Sequence, residues 1–125
     1  MDKKVIQSFR DLQVWQRSME LAVATYRLTQ KSPREEIYGL ASQLRRASVS
    51  IASNIAEGQG RLNEREFRQF LGIARGSTCE LQTQLELARR LGLADSKLID
   101  EAESLSHEVG KIIFSLLGKV TGAIH

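Results

Sequence analysis

Along almost the whole chain, apolar residues recur at spacings of three and four, and nowhere do they alternate. Residues three and four apart share one face of an α-helix, whereas a half-buried strand needs a period of two. The pattern therefore predicts an all-α protein. It falls into four segments, each bounded by residues that start or stop helices. In the first, over 11–30, Leu12, Trp15, Met19, Ala22 and Tyr26 make one apolar line and Val14, Leu21 and Leu28 a second beside it. Ser8 and Asp11, three apart, can act as a capping box at its start. The second segment, over 34–57, opens on Ser32-Pro33-Arg34-Glu35. That run supplies an N-cap acceptor, a preset φ and a reciprocal acid. Ile37, Ala41, Leu44, Ser48, Ile51 and Ile55 follow at helical spacing, and Gly58 is the expected stop.

Gly58 to Leu62 reads as a mobile link, after which Asn63 and Glu66 cap a third helix over 64–91. Its line is Phe67, Phe70, Leu71, Ala74, Thr78, Leu81, Leu85 and Ala88, and Gly92 ends it. Asp95 or Ser96 starts the fourth, over 96–120. There Leu98, Ala102, Leu105, Val109, Ile112 and Leu116 run beside Ile99, Ser106, Ile113 and Val120. Short links make successive helices antiparallel neighbours, so the expected fold is one domain over 1–125, an up-down-up-down four-helix bundle. At 125 residues the chain is long enough to bury a core without disulfides or metal.

Composition narrows the chemistry. The chain has one cysteine, Cys79, and two histidines, His107 and His125. A di-iron bundle needs two Glu-x-x-His motifs, and Ser104 precedes His107 by three, so no such site is expected. A Ser-His-Asp or Cys-His arrangement has little to draw on, and Cys79, beside the apolar line of the third helix, reads as a packed, inert thiol. Gly58-x-Gly60 lacks the third glycine and preceding strand of a dinucleotide site. Hence no enzyme activity, cofactor or metal is expected. The longest greasy run, 112–117, is too short to span a bilayer, and no signal-peptide pattern opens the sequence, so a cytoplasmic protein is the expectation.

Net charge is +3, unevenly placed: residues 1–94 hold 15 basic and 10 acidic side chains, and residues 95–125 hold 3 and 5. Such an excess fits a polyanionic partner. Arg61, Arg65 and Arg68, with Arg45 and Arg46 of the second helix, are the candidate contacts to an RNA or DNA backbone. Glu64 and Glu66 dilute that patch. Two polar stripes also stand out, Gln43, Arg46, Ser50, Asn54 and Glu57 on the second helix and Arg75, Gly76, Ser77, Glu80 and Gln84 on the third. Across an antiparallel pair they predict a structural polar layer in which Asn54 and Glu57 meet Arg75, and Arg46 reaches Glu80 or Gln84. The doubled apolar lines of the first and fourth helices exceed what one seam needs. The surplus predicts a homo-oligomer interface involving Val14, Trp15, Leu21 and Leu28.

Four stretches carry a resemblance: Phe9-Arg-Asp-Leu-Gln-Val-Trp15, Tyr38-Gly-Leu-Ala-Ser-Gln-Leu-Arg-Arg46, Ser50-Ile-Ala-Ser-Asn-Ile-Ala-Glu-Gly58 and Phe67-x-x-Phe-Leu-x-Ile-Ala-Arg-Gly-Ser77. In this order they resemble the bacterial four-helix-bundle proteins of the 23S ribosomal RNA intervening-sequence family. The resemblance runs from about Phe9 to beyond Leu93. It departs at Ala52, where many members carry proline, which implies a less kinked second helix. It implies a bundle that assembles into a ring, with a pentamer as the expected form. More distantly, the chain is similar to the pentameric accessory bundles of diversity-generating retroelements, which associate with nucleic acid. Neither resemblance implies an activity. Two functions compete: an oligomer that binds RNA or other nucleic acid through basic residues, and a scaffold subunit for a protein partner.

Overall fold

A computed structural model of the chain describes residues 6–31 and 39–120. A single 3-10 turn, Phe9–Asp11, leads into four helices: α1 (Gln13–Thr29), α2 (Leu40–Gly60), α3 (Glu64–Leu91) and α4 (Ser96–Lys119). No strand occurs among the described residues. The expected start of the second helix at Ser32-Pro33-Arg34-Glu35, and Ile37, lie outside them.

The helix ends follow local chemistry. The Ser8–Asp11 capping box forms, but it closes the 3-10 turn, and α1 begins one residue after its N-cap Leu12. At α3, the Asn63 side chain accepts from the Glu66 amide at 3.1 Å, while the Glu66 carboxylate lies 3.8 Å from Arg61. Gly92 ends α3 in the left-handed region at φ 65°, with Leu93 N–H donating back to the Ala88 carbonyl at 3.0 Å. Asp95 caps α4 by accepting from the Lys97 amide at 2.8 Å.

The expected stop at Gly58 does not occur. α2 continues through Gly58 to Gly60, and the left-handed residue of the turn is Leu62, at φ 57°. Gly58 is buried because Phe70 and Phe67 of α3 press against its α-carbon. The missing side chain serves close helix contact here, and Gly58 to Leu62 is a helix end and tight turn instead of a long link.

Each helix packs on two neighbours in the cyclic order α1, α2, α3, α4, and α2 with α3 is the most extensive interface. Ser50 meets Ser77, Gln43 meets Gln84 and Gly58 faces Phe70, so numbers rise on α2 as they fall on α3. The same opposition holds where Arg89 reaches Asp100 and Arg75 lies over Phe114. Leu21, Ile51, Ile55, Leu71, Leu81, Leu85, Val109 and Ile113 are fully buried at the centre. Hydroxyls share that core without cost in unmade bonds. Ser18, Thr25 and Thr78 donate to the carbonyl four residues back at 2.7–2.9 Å, and Ser106 to the one three back.

One sequence expectation is reversed by this packing. Val14, Leu21 and Leu28, expected at an interface between copies, lie inside the chain's own core. The true seam of α1 runs along Val14, Ser18, Leu21, Thr25 and Leu28, because the two small hydroxyl residues complete it at three- and four-residue spacing. Trp15 sits at the edge of the core, edge-on to Phe9 with ring centroids 5.1 Å apart. In α4 the buried line is Ile99, Ala102, Ser106, Val109 and Ile113, between the two lines read from the sequence.

Candidate functional site

The five candidate arginines do not form one patch. Arg45 on α2 and Arg61 at its C-cap are sixteen residues apart, about 24 Å at 1.5 Å per residue. Arg45 turns onto α1, donating to Thr29 Oγ1 at 2.8 Å with its guanidinium 4.5 Å from the Tyr26 ring centroid. Arg61 pairs with Glu57 at 3.0 Å and lies over Phe70, fastening the α2–α3 turn. Arg68 donates to the carbonyls of Leu117 and Val120, the latter at 2.8 Å. It thereby satisfies acceptors that the last turn of α4 leaves open. Arg46 and Arg65 are exposed and make no ion pair among the described residues.

The polar layer between α2 and α3 keeps Asn54 and Glu80 of its expected members and leaves out Glu57 and Arg75. Ser50 and Ser77 bridge the helices at 2.9 Å, Asn54 donates to Ser50 within α2, and Gln84 donates to Gln43 and Glu80, both at 3.4 Å. The buried Gln84 Oε1 accepts no bond among the described residues. Glu57 pairs with Arg61, and Arg75 is not in the layer at all. Positions two apart on a helix point some 200° away from one another, so Arg75 and Ser77 cannot face the same neighbour.

Arg75 faces α4. Its guanidinium lies 5.3 Å from the ring centroid of Phe114, a residue 65% exposed. Together with Gln82, His107, Gly110 and Lys111 they line a groove of about 430 Å³ between α3 and α4. No acidic residue lines it. Along the same pair of helices Arg89 binds Asp100 at 2.7 Å and Glu103 at 2.9 Å, and Arg17 of α1 binds Glu108 at 2.7 Å. Both guanidinium pKa values are raised, that of Arg17 chiefly by the Glu108 charge and that of Arg89 chiefly by its hydrogen bond to Asp100. Sequence reading missed this groove. Its signal was the four-residue pair His107–Lys111 followed three on by Phe114, which share a face.

Cys79, expected to be packed, is exposed on α3. Its thiol is expected to titrate at one equivalent per chain with an aromatic disulfide reagent in native buffer. Reaction only after denaturant would contradict that exposure. Among the described residues no cluster of three or more His, Cys, Asp or Glu could hold a metal ion, and no helix is long and apolar enough to cross a membrane.

A family model described as 23S rRNA-intervening sequence protein matches residues 10–115, most of the chain. The chain belongs to this family. No curated protein matches it in sequence. Among solved structures it is similar to a protein of unknown function from the S23 ribosomal protein family of Bacteroides thetaiotaomicron. That likeness has a TM-score of 0.74 at 24% identity and covers 83% of this chain and 97% of that one. At that identity the likeness speaks for the fold. The intervening-sequence family match reaches into all four helices, so the buried core, the polar layer and the α3–α4 groove fall within it, Phe114 included.

Proposed function

We propose that this chain is a non-catalytic, cytoplasmic subunit that self-associates into a ring, a pentamer, and engages RNA or other nucleic acid through its basic surface. Its frame is an antiparallel up-down-up-down bundle, supported by the opposed pairings across α2/α3 and α3/α4. One observation carries the reading: two separate apolar stripes stay exposed after the core is filled. On α1, Met19, Val23 and Tyr26 are 41–46% exposed and share a face, and Val49 of α2 borders the same hollow as Tyr26. On α3, Leu87 and Leu91, one turn apart and 46% and 57% exposed, make the second stripe. A ring needs a head-to-tail interface, in which two different patches of one subunit meet on neighbouring copies. Exposed apolar patches of this kind mark association surfaces.

Light scattering after gel filtration at micromolar concentration is expected to give a multiple of the 14.0 kDa chain mass. Val23→Glu, which places a charge in the first stripe but outside the core, is expected to yield a helical monomer. A monodisperse wild-type monomer would overturn the ring. For the nucleic-acid arm, Arg46 and Arg65 are the expected sites of contact among the original candidates, because their charges are uncommitted. Binding there weakens steeply with salt. A salt-tolerant complex with a protein, and no nucleic-acid binding at low salt, favours the scaffold function instead.

A further inference from the structure

Phe114 is the most exposed aromatic ring among the large apolar side chains of the described residues, yet it does not stand alone. Arg75 reaches over it from α3, and Lys111 and His107 flank it one turn and two turns back on α4. The acids nearest on α4 are already committed: Asp100 and Glu103 to Arg89, Glu108 to Arg17. Arg75 and Lys111 make no ion pair among the described residues, so the groove keeps a positive charge beside an open aromatic face. Gly110 leaves its floor without a side chain. Beyond Cys79 and Gln82 a second hollow begins on α3, where Arg90 is paired with Glu86 at 3.0 Å and Leu87 belongs to the second apolar stripe.

We infer that the α3–α4 groove binds single-stranded nucleic acid, with a base stacked on Phe114 and backbone phosphates against Arg75 and Lys111. Every base has a π-face, so stacking on one aromatic ring between cations holds a strand with little sequence preference. A duplex keeps its bases stacked internally and cannot offer one to Phe114. The Gln82 amide lies where it can meet a base edge. This assignment rests on the nucleic-acid arm of the proposed function and adds to Arg46 and Arg65 a contact between α3 and α4.

Fluorescence anisotropy of the full chain with a short labelled single-stranded RNA, and with a duplex of the same length, tests it. Measurements at about 50 mM and about 200 mM salt give the charge dependence. Phe114→Ala is expected to weaken strand binding about ten-fold and leave duplex binding unchanged, whereas Phe114→Tyr holds wild-type affinity. The double variant Arg75→Gln, Lys111→Gln is expected to lower the salt slope for the strand by about 1.4, from about 0.7 for each single-strand phosphate contact. Circular dichroism and chain mass should match the wild type, because these side chains lie outside the core. Strand binding that none of these variants alters would overturn the groove and leave the nucleic-acid reading standing. No binding of strand or duplex at low salt would overturn both. Adenosine monophosphate competing as well as the strand would overturn the extended ligand in favour of a nucleotide.

Discussion

Leu21→Ala is expected to lower the unfolding free energy by about 3 kcal/mol, whereas Met19→Ala, two residues away, changes it by less than about 1 kcal/mol. The sequence places both residues on apolar lines of the first helix. In the structure Leu21 has no exposed surface and Met19 keeps 41% of its own. Truncating Leu21 removes buried methyl groups and leaves a cavity that the rigid helices around it close only in part. Truncating Met19 removes contacts that water already shares. Chemical denaturation read by circular dichroism checks the pair, with a melting temperature lower by roughly 10–15 °C for Leu21→Ala at this chain length. It should be run where the assembly state is constant, because association adds stability by mass action. Equal losses at the two sites would contradict the seam described for α1. Met19→Ala should show its effect in the assembly equilibrium instead.

The second large effect carries a sign that helix propensity gets wrong. Glycine inside a helix costs about 1 kcal/mol relative to alanine, so Gly58→Ala should stabilise α2 if only local preference counted. A Cβ at Gly58 would stand 2.6 Å from Phe70 Cβ and 3.2 Å from Phe67 Cδ1. Phe70 Cβ is fixed to the α3 backbone and cannot swing aside, so the two helices must separate or shift. A net loss of about 2 kcal/mol is expected, as for other overpacked cores. Gly72→Ala and Gly76→Ala serve as internal controls, since nothing lies within 4 Å of a Cβ at either position of α3. Each should gain about 0.5–1 kcal/mol. Stabilisation by Gly58→Ala would mean that α2 and α3 do not approach as closely as the structure places them.

Gly58 also shows why some of this molecule was legible in the sequence and some was not. Helix number, the limits of α3 and the caps at Asn63, Gly92 and Asp95 were readable, because they depend on residues within one or two turns of each other. The role of Gly58 was not, because it depends on Phe70, twelve residues on and across an interface. A glycine that ends a helix and a glycine that admits a neighbouring ring are the same letter. The arginines make the same point. Arg45, Arg61 and Arg68 look free in the sequence, and each is taken up by a partner: a hydroxyl and ring on α1, an acid one turn back, and the open carbonyls of α4. Arg75 was read into the α2–α3 layer from its proximity in sequence to Ser77, although helical geometry alone sends it to the other side.

The sequence by itself determined an all-α chain of four amphipathic helices, since hydrophobic period and capping act locally and admit no strand. It also determined family membership, through motifs spread along the helices. Only the tertiary structure decided which of two apolar lines on α1 fills the core and which stays outside. Two lines on one helix differ by a rotation of its axis, and that rotation is set by how α1 packs on α2 and α4. Tertiary structure likewise decided which cations remain uncommitted, because an arginine's charge is available only where packing has brought it no acid, carbonyl or hydroxyl to hold.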